Sequence, residues 1–377
     1  MTSSSSTDPA ALSFEKVAIL CYRLHDIADE IDLEHAGRLL TEGPRPVTLT
    51  REGSEYIELP QPPLSFRVGM REVRIGEVTH QLDVEVRLFE FGAASFQLGL
   101  DAPPGSTTQD LVTLTDQLDE APALEALVAE LIRGMTARLA PALRGAHLWD
   151  QSERYTVYFA ESIRGNPSAE HLLAHLDLPR LLLGEPDHVA LSKAEQESVM
   201  GAHYSYTQED LAVIDWSAAF VYEPSGSRDL LLLIELVNAQ LLELRYYDEL
   251  LDTRINETYD QMEVRNRGWW LLFRSPYRRL ARRTALTLIE LSEFIERAEN
   301  SIKLIGDVYL AKVYVAATQQ LRIPDWQRSV TRKHELLSRT HGLLKGEVDT
   351  DRSITLEATI VALIVFEIVM AFAKVMG

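Results

Sequence analysis

The sequence predicts an α+β protein in three parts. These are an N-terminal α+β domain with a mostly antiparallel sheet, an antiparallel bundle of long helices, and one C-terminal transmembrane helix. Three observations carry that expectation. Short β-rich runs punctuated by Gly and Pro fill the chain up to Gly226. Past Gly226 the pattern turns to long Leu- and Glu-rich helical stretches, and the chain ends in the apolar run Leu356–Met376.

The length of 377 residues exceeds the ~100–200 expected of one domain. The boundaries read as a disordered tail over 1–13, the α+β domain over 14–226, the helical stalk over 227–353 and the anchor over 354–377. The formal charge of −20 repels nucleic acid and anionic lipid on average, so any basic contact must come from a local patch. A lone cysteine, Cys21, excludes an intramolecular disulfide and a cysteine-based zinc cluster. The N-terminus has no basic, apolar or arginine-rich leader pattern, so no signal or transit peptide is expected.

Taken in order, Lys16–Leu24 reads as a strand and Glu30–Leu40 as a helix, ended by the breaker Gly43-Pro44-Arg45-Pro46. Strands follow at 47–50, 64–68, 73–78, 82–91 and 93–100. Asp83–Phe91 alternates at period two, the mark of a half-buried strand, and Gly92 supplies the turn to the next. Leu111–Leu143 is helical, broken near Pro122. Arg154–Ala160 is a strand, and Val213–Tyr222 another. This order suggests helices on one face of the sheet. Helical patterns then cover 228–262, 284–321 and 325–345, with the character of a coiled coil.

Leu356–Met376 spans twenty-one residues, about 30 Å at helical rise, the thickness of a bilayer core. Glu357 and Lys374 lie near its ends. Glu367 lies inside it, where a carboxylate is expensive and points to self-association. The residues 264–283 carry seven arginines and no acid. Arg265, Arg267, Trp269, Trp270, Arg274, Arg278, Arg279, Arg282 and Arg283 have the composition of a membrane-surface patch. In an up-down bundle that loop falls at the pole where the anchor begins. The positive charge also places the bulk of the chain on the cytoplasmic side of a bacterial-type inner membrane, as a single-pass tail anchor.

Signatures of chemistry are absent. There is no P-loop, Rossmann glycine pattern, nucleophile elbow or His-Glu-x-x-His. His171 and His175 are four apart with Asp177 nearby, but two imidazoles without a third ligand read as surface residues. No catalytic residue, metal or cofactor is assigned.

Three stretches give the chain a family likeness. Val86–Leu100 holds an acidic Phe-Gly step leading into an apolar run. Leu232–Glu249 is a long helix containing Ala239-Gln240. Asp351–Glu357 leads into the apolar tail with its embedded Glu367. In their order the chain resembles the domain of unknown function 155 family, which includes a eukaryotic mitochondrial inner-membrane protein. It departs at Gln97, where the family has an aromatic residue, and at Ala358-Thr359, where it has a Trp. The resemblance implies a membrane-anchored, oligomeric protein without established enzymatic activity; the mitochondrial relative is associated with supporting translation. The expected function is a membrane-anchored, homo-oligomeric scaffold or tether. Its partners are the bilayer, further copies of the chain and an unidentified protein, with nucleic acid disfavoured. The alternative is a subunit like the CorA magnesium channels, which have two spans and a Gly-Met-Asn signature that this chain lacks.

Overall fold

A computed structural model describes residues 12–42, 49–50, 62–119, 121–186, 188–263, 282–289, 291–292 and 307–376. It divides into two compact units: residues 1–243 with 298–324, and residues 244–297 with 325–377.

The first unit is built on a nine-stranded sheet. Its strands are β1 (Phe14–Asp26), β3 (Leu49–Thr50), β4 (Leu64–Ile75), β5 (Val78–Leu88), β6 (Ala93–Asp101), β8 (Glu153–Ile163), β9 (His203–Tyr204), β10 (Leu211–Ile214) and β11 (Ala218–Tyr222). Their order across the sheet is β3-β4-β5-β6-β1-β8-β11-β10-β9. Every pairing is antiparallel except β8 with β11, whose connection carries three short helices. Two short strands, β2 (Glu30–Ile31) and β7 (Leu143–Arg144), form a separate ribbon. The α+β class with a mostly antiparallel sheet is therefore observed.

Several elements differ in detail from the sequence pattern. The two short strands expected at 64–68 and 73–78 fall largely on one strand, β4, kinked by a bulge between Arg67 and Gly69, and the end of the second is the Gly76-Glu77 turn into β5. The single strand expected over Val213–Tyr222 is the hairpin β10–β11, turned by Asp215-Trp216-Ser217. Gly92 sits in the β5–β6 connection at φ 108°; a Cβ there would fall 1.7 Å from the Ala28 carbonyl oxygen, so only glycine fits.

Helices cover both faces of the sheet, not one. The first face carries Ile19, Tyr158, Phe220 and Val213 in one row across four strands. It packs on α1 (Leu33–Glu42), α2 (Thr108–Asp119), α3 (Pro122–Leu139), α4 (Ala169–His175), α5 (Leu178–Leu183) and α6 (Lys193–Met200). Pro122, at the first position of α3, explains the break between α2 and α3. The opposite face carries Leu20, Val157, Ala219 and Ile214, equally buried. The first half of α7 (Asp229–Glu263) and α8 (Val308–Gln320) belong to this side. Tyr314 of α8 donates to Gln240 of α7 at 2.8 Å, and Gln320 donates to Asp215 at 3.0 Å. The strands announce this double cover. Ala18–Tyr22 and Ala218–Tyr222 are continuous apolar runs rather than alternating ones, as strands buried on both faces require.

The second unit holds the rest of α7, a helical stretch within 282–292, and most of α9 (Ile323–Met376). Arg245 lies 6.0 Å from the Trp326 ring, Ser329 donates to Asp248, and Lys333 bridges Asp248 and Asp252. Contacts advance in step along both helices, so α7 and α9 run parallel here. α9 continues without interruption from Ile323 through the apolar tail. Val308–Gln320, expected as the end of a long second stalk helix, groups with the sheet unit instead.

Candidate functional site

One concavity of the first unit is a cleft of about 420 Å³. It is walled by the Tyr206–Asp210 loop, the turn after β11, and the starts of α7 and α8. Five carboxylates line it: Glu209, Asp210, Glu223, Asp229 and Asp307. Their presence has a local cause. Asp229 opens α7, and Asp307 caps α8 by accepting from the Leu310 amide at 2.8 Å; acids are favoured at helix N-termini. Asp210 is buried and accepts from the Tyr206 amide at 2.8 Å, from Thr207, and from the Tyr309 hydroxyl at 3.3 Å. The Tyr206 and Tyr309 rings approach to 5.5 Å. Burial, reinforced by the charge of Asp210, pushes the Tyr309 hydroxyl well above its usual pKa, so it stays a donor. The cleft is acidic, and three of its acids are engaged locally: Asp210 holds the loop, Asp307 caps α8, and Glu223 accepts from Ser225 at 2.6 Å.

Charged groups also lie within the protein. Arg87 pairs with Glu235 of α7, and both side chains are almost wholly buried. Its Nε donates to Ser65 at 2.8 Å. Arg23, on the other face, donates to Asp119 at 2.7 Å and to Glu125 at 3.2 Å. At the end of β1, His147 Nε2 stands 3.0 Å from Asp26 and Nδ1 stands 2.9 Å from the Gly145 carbonyl. Burial disfavours the imidazolium, but Asp26, the Gly145 carbonyl and Asp29 outweigh it and hold the His147 pKa up at about 9. Burial pushes the Cys21 thiol up to about 12, which keeps it un-ionised and unreactive.

The residues singled out in the sequence fall as follows. His171 and His175 stack with ring centroids 4.1 Å apart, and His175 Nδ1 contacts the His171 carbonyl. Among the described residues no group of three or more His, Cys, Asp or Glu could hold a metal. Arg265, Arg267, Trp269, Trp270, Arg274, Arg278 and Arg279 lie outside the described residues. Arg282 and Arg283 are exposed on a helical stretch, with Arg283 4.0 Å from Glu257. Glu367 is exposed on α9. Around it Leu356, Ile360, Val361, Leu363, Ile364, Val365, Phe366, Ile368 and Met370 are all exposed, by between 48% and 63%. Among the described residues no helix is long and apolar enough to cross a membrane; the side chains of 358, 369 and 372–376 lie outside that description.

The sequence reading missed the Arg87–Glu235 pair and the tyrosine-lined acidic cleft. For the pair a signal was present. Glu235 is the one charge within Leu230–Val237, and a lone charge inside an apolar run marks a partner across the core.

Residues 16–228 match the family model described as "Uncharacterized protein MJ0711, N-terminal domain". The chain belongs to this family. The matched span covers the sheet, its first helical layer and the loop of the cleft, and it ends just before α7. "Uncharacterized protein MJ0711" of Methanocaldococcus jannaschii is 26% identical over 171 residues, covering 45% of this chain and 51% of the relative. The chain thus spans about half the length of this curated relative. No solved structure matches. Membership of an uncharacterised family is supported; the naming as domain of unknown function 155, with its mitochondrial relative, is not carried by these matches.

Proposed function

We propose that this member of the MJ0711 N-terminal family is a membrane-anchored, self-associating tether. In this reading the α+β unit lies on the cytoplasmic side of an inner membrane, and the end of α9 enters the bilayer as a single pass. One observation supports it above others. From Ile360 to Phe366 the helix is apolar around its whole circumference apart from the small Ala362, and the described residues leave it uncovered. A helix apolar on all sides needs a core or a bilayer around it. Left in water, that surface would cost roughly 25 cal/mol per Å².

The resemblance to the domain of unknown function 155 family points the same way. The arginine-rich residues 264–283 would add lipid-headgroup contact, each basic residue contributing ~1 kcal/mol at most. An unidentified protein is the tethered partner.

The test is fractionation of the full chain beside a version ending at Ser353. The full chain should sediment with membranes after a high-salt wash, and the truncated one should stay in the supernatant. A full chain that stays in the supernatant, or a truncated one that still sediments, overturns the anchor.

A further inference from the structure

We propose that α9 pairs in parallel with the same helix of a second copy along Leu356, Ile360, Leu363, Glu367 and Met370, an inference that rests on the anchor reading above. The spacing carries it first. These residues follow one another at intervals of four, three, four and three, the a/d rhythm of a helix-pairing seam. All five are exposed. The rhythm begins at Leu356: one and two heptads upstream the same positions are Asp349 and Gly342, so the seam is confined to the apolar tail.

Glu367 decides the occupant. Among the described residues it has no hydrogen bond or ion pair. Lipid chains offer it no donor, and an unsatisfied polar group in hydrocarbon costs several kcal/mol. The group that always lies at its own depth in the bilayer is Glu367 of a second copy inserted in the same direction. A protonated carboxyl has one O–H to donate and a carbonyl oxygen to accept, so two of them can satisfy each other. A single polar residue in an apolar seam also fixes register and copy number at some expense of stability. Insertion from one side makes the pair parallel.

Cross-linking of the full chain in membranes tests this. Cys21 is the single cysteine and is fully buried, so an introduced thiol reports alone. Leu363→Cys places a thiol on the seam, and Val365→Cys places one on the opposite side of the helix. Under a mild oxidant Leu363→Cys should form a disulfide-linked dimer and Val365→Cys should not. Adding Glu367→Leu should lower the Leu363→Cys dimer by about threefold to tenfold, the range expected for one interhelical hydrogen bond in a membrane, whereas Glu367→Gln should retain it. Equal cross-linking of the two thiols, or no loss with Glu367→Leu, overturns the proposal. The same samples, sedimented after a high-salt wash, separate the two ideas. Sedimentation without cross-linking removes the seam and leaves the anchor; selective cross-linking without sedimentation removes the anchor.

Discussion

Arg23 and Arg87 are both buried arginines, on strands β1 and β5, yet the protein treats them in opposite ways. Arg23 is on the face clad by α1–α6. Its guanidinium is covered, but Asp119 and Glu125 are 47% and 38% exposed, so its partners remain solvated at the rim. Arg87 is on the face beneath α7, and its partner Glu235 is 1% exposed. The first arrangement buries one ion beside water. The second buries two ions against each other, where geometry must offset the desolvation of both. The first face can therefore lose one acid and keep a close partner, whereas on the second face loss of Glu235 leaves Arg87 the longer contact to Glu85 at 3.5 Å and removes its link to α7.

The largest expected effect breaks the second arrangement. Glu235→Leu alone removes the α7 partner of Arg87, leaves it the longer contact to Glu85, and should cost about 3 kcal/mol in urea unfolding, the lower end for a broken buried pair. The double variant Glu235→Leu with Arg87→Met should recover most of that loss, because an apolar pair of similar volume can replace a buried ion pair. If the double variant is as unstable as the single, the pair is not what docks α7.

A smaller effect is expected on the first face. Asp119→Asn leaves Glu125 and the Tyr22 carbonyl to Arg23, so the same measurement should show a loss of about 1–2 kcal/mol. A loss matching that of Glu235→Leu would erase the contrast between the two arginines.

The smallest effect concerns Asp26, which is on the α7 side of β1 in the row continuing Leu20, Tyr22 and Leu24. Its partner His147 is held up from 6.5 to about 9 in the folded protein. A raised pKa means that the imidazolium contributes stability fully below pH 6.5 and loses it as pH rises through about 9. Because His147 is a quarter exposed, about 1 kcal/mol is expected. Urea midpoints should fall between pH 6.5 and 9, and His147→Gln should flatten that slope. An unchanged slope would assign it to other groups.

These contrasts mark how much of the chain was readable. β1, β5, β6 and α7 stand close to where local pattern places them, because each carries its own periodicity and its own turn residues. The cleft was not readable. Its acids come from the loop before β10, the turn after β11 and the starts of two helices, and only folding brings Asp210 beneath Tyr309. The arginine-rich residues 264–283 were conspicuous in composition, yet only Arg282 and Arg283 fall among the described residues.

By itself the sequence determined the α+β class, the mostly antiparallel sheet, the single cysteine and the apolar end of α9. Composition and short-range period decide those, and neither needs a distant partner. Tertiary structure alone decided which helices cover each face of the sheet, that β11 runs parallel to β8, and that Val308–Gln320 joins the sheet unit. The physical reason is range. A helix or strand is specified by neighbours a few residues away, whereas Arg87 and Glu235 stand far apart in the chain, and only the closed core brings them together.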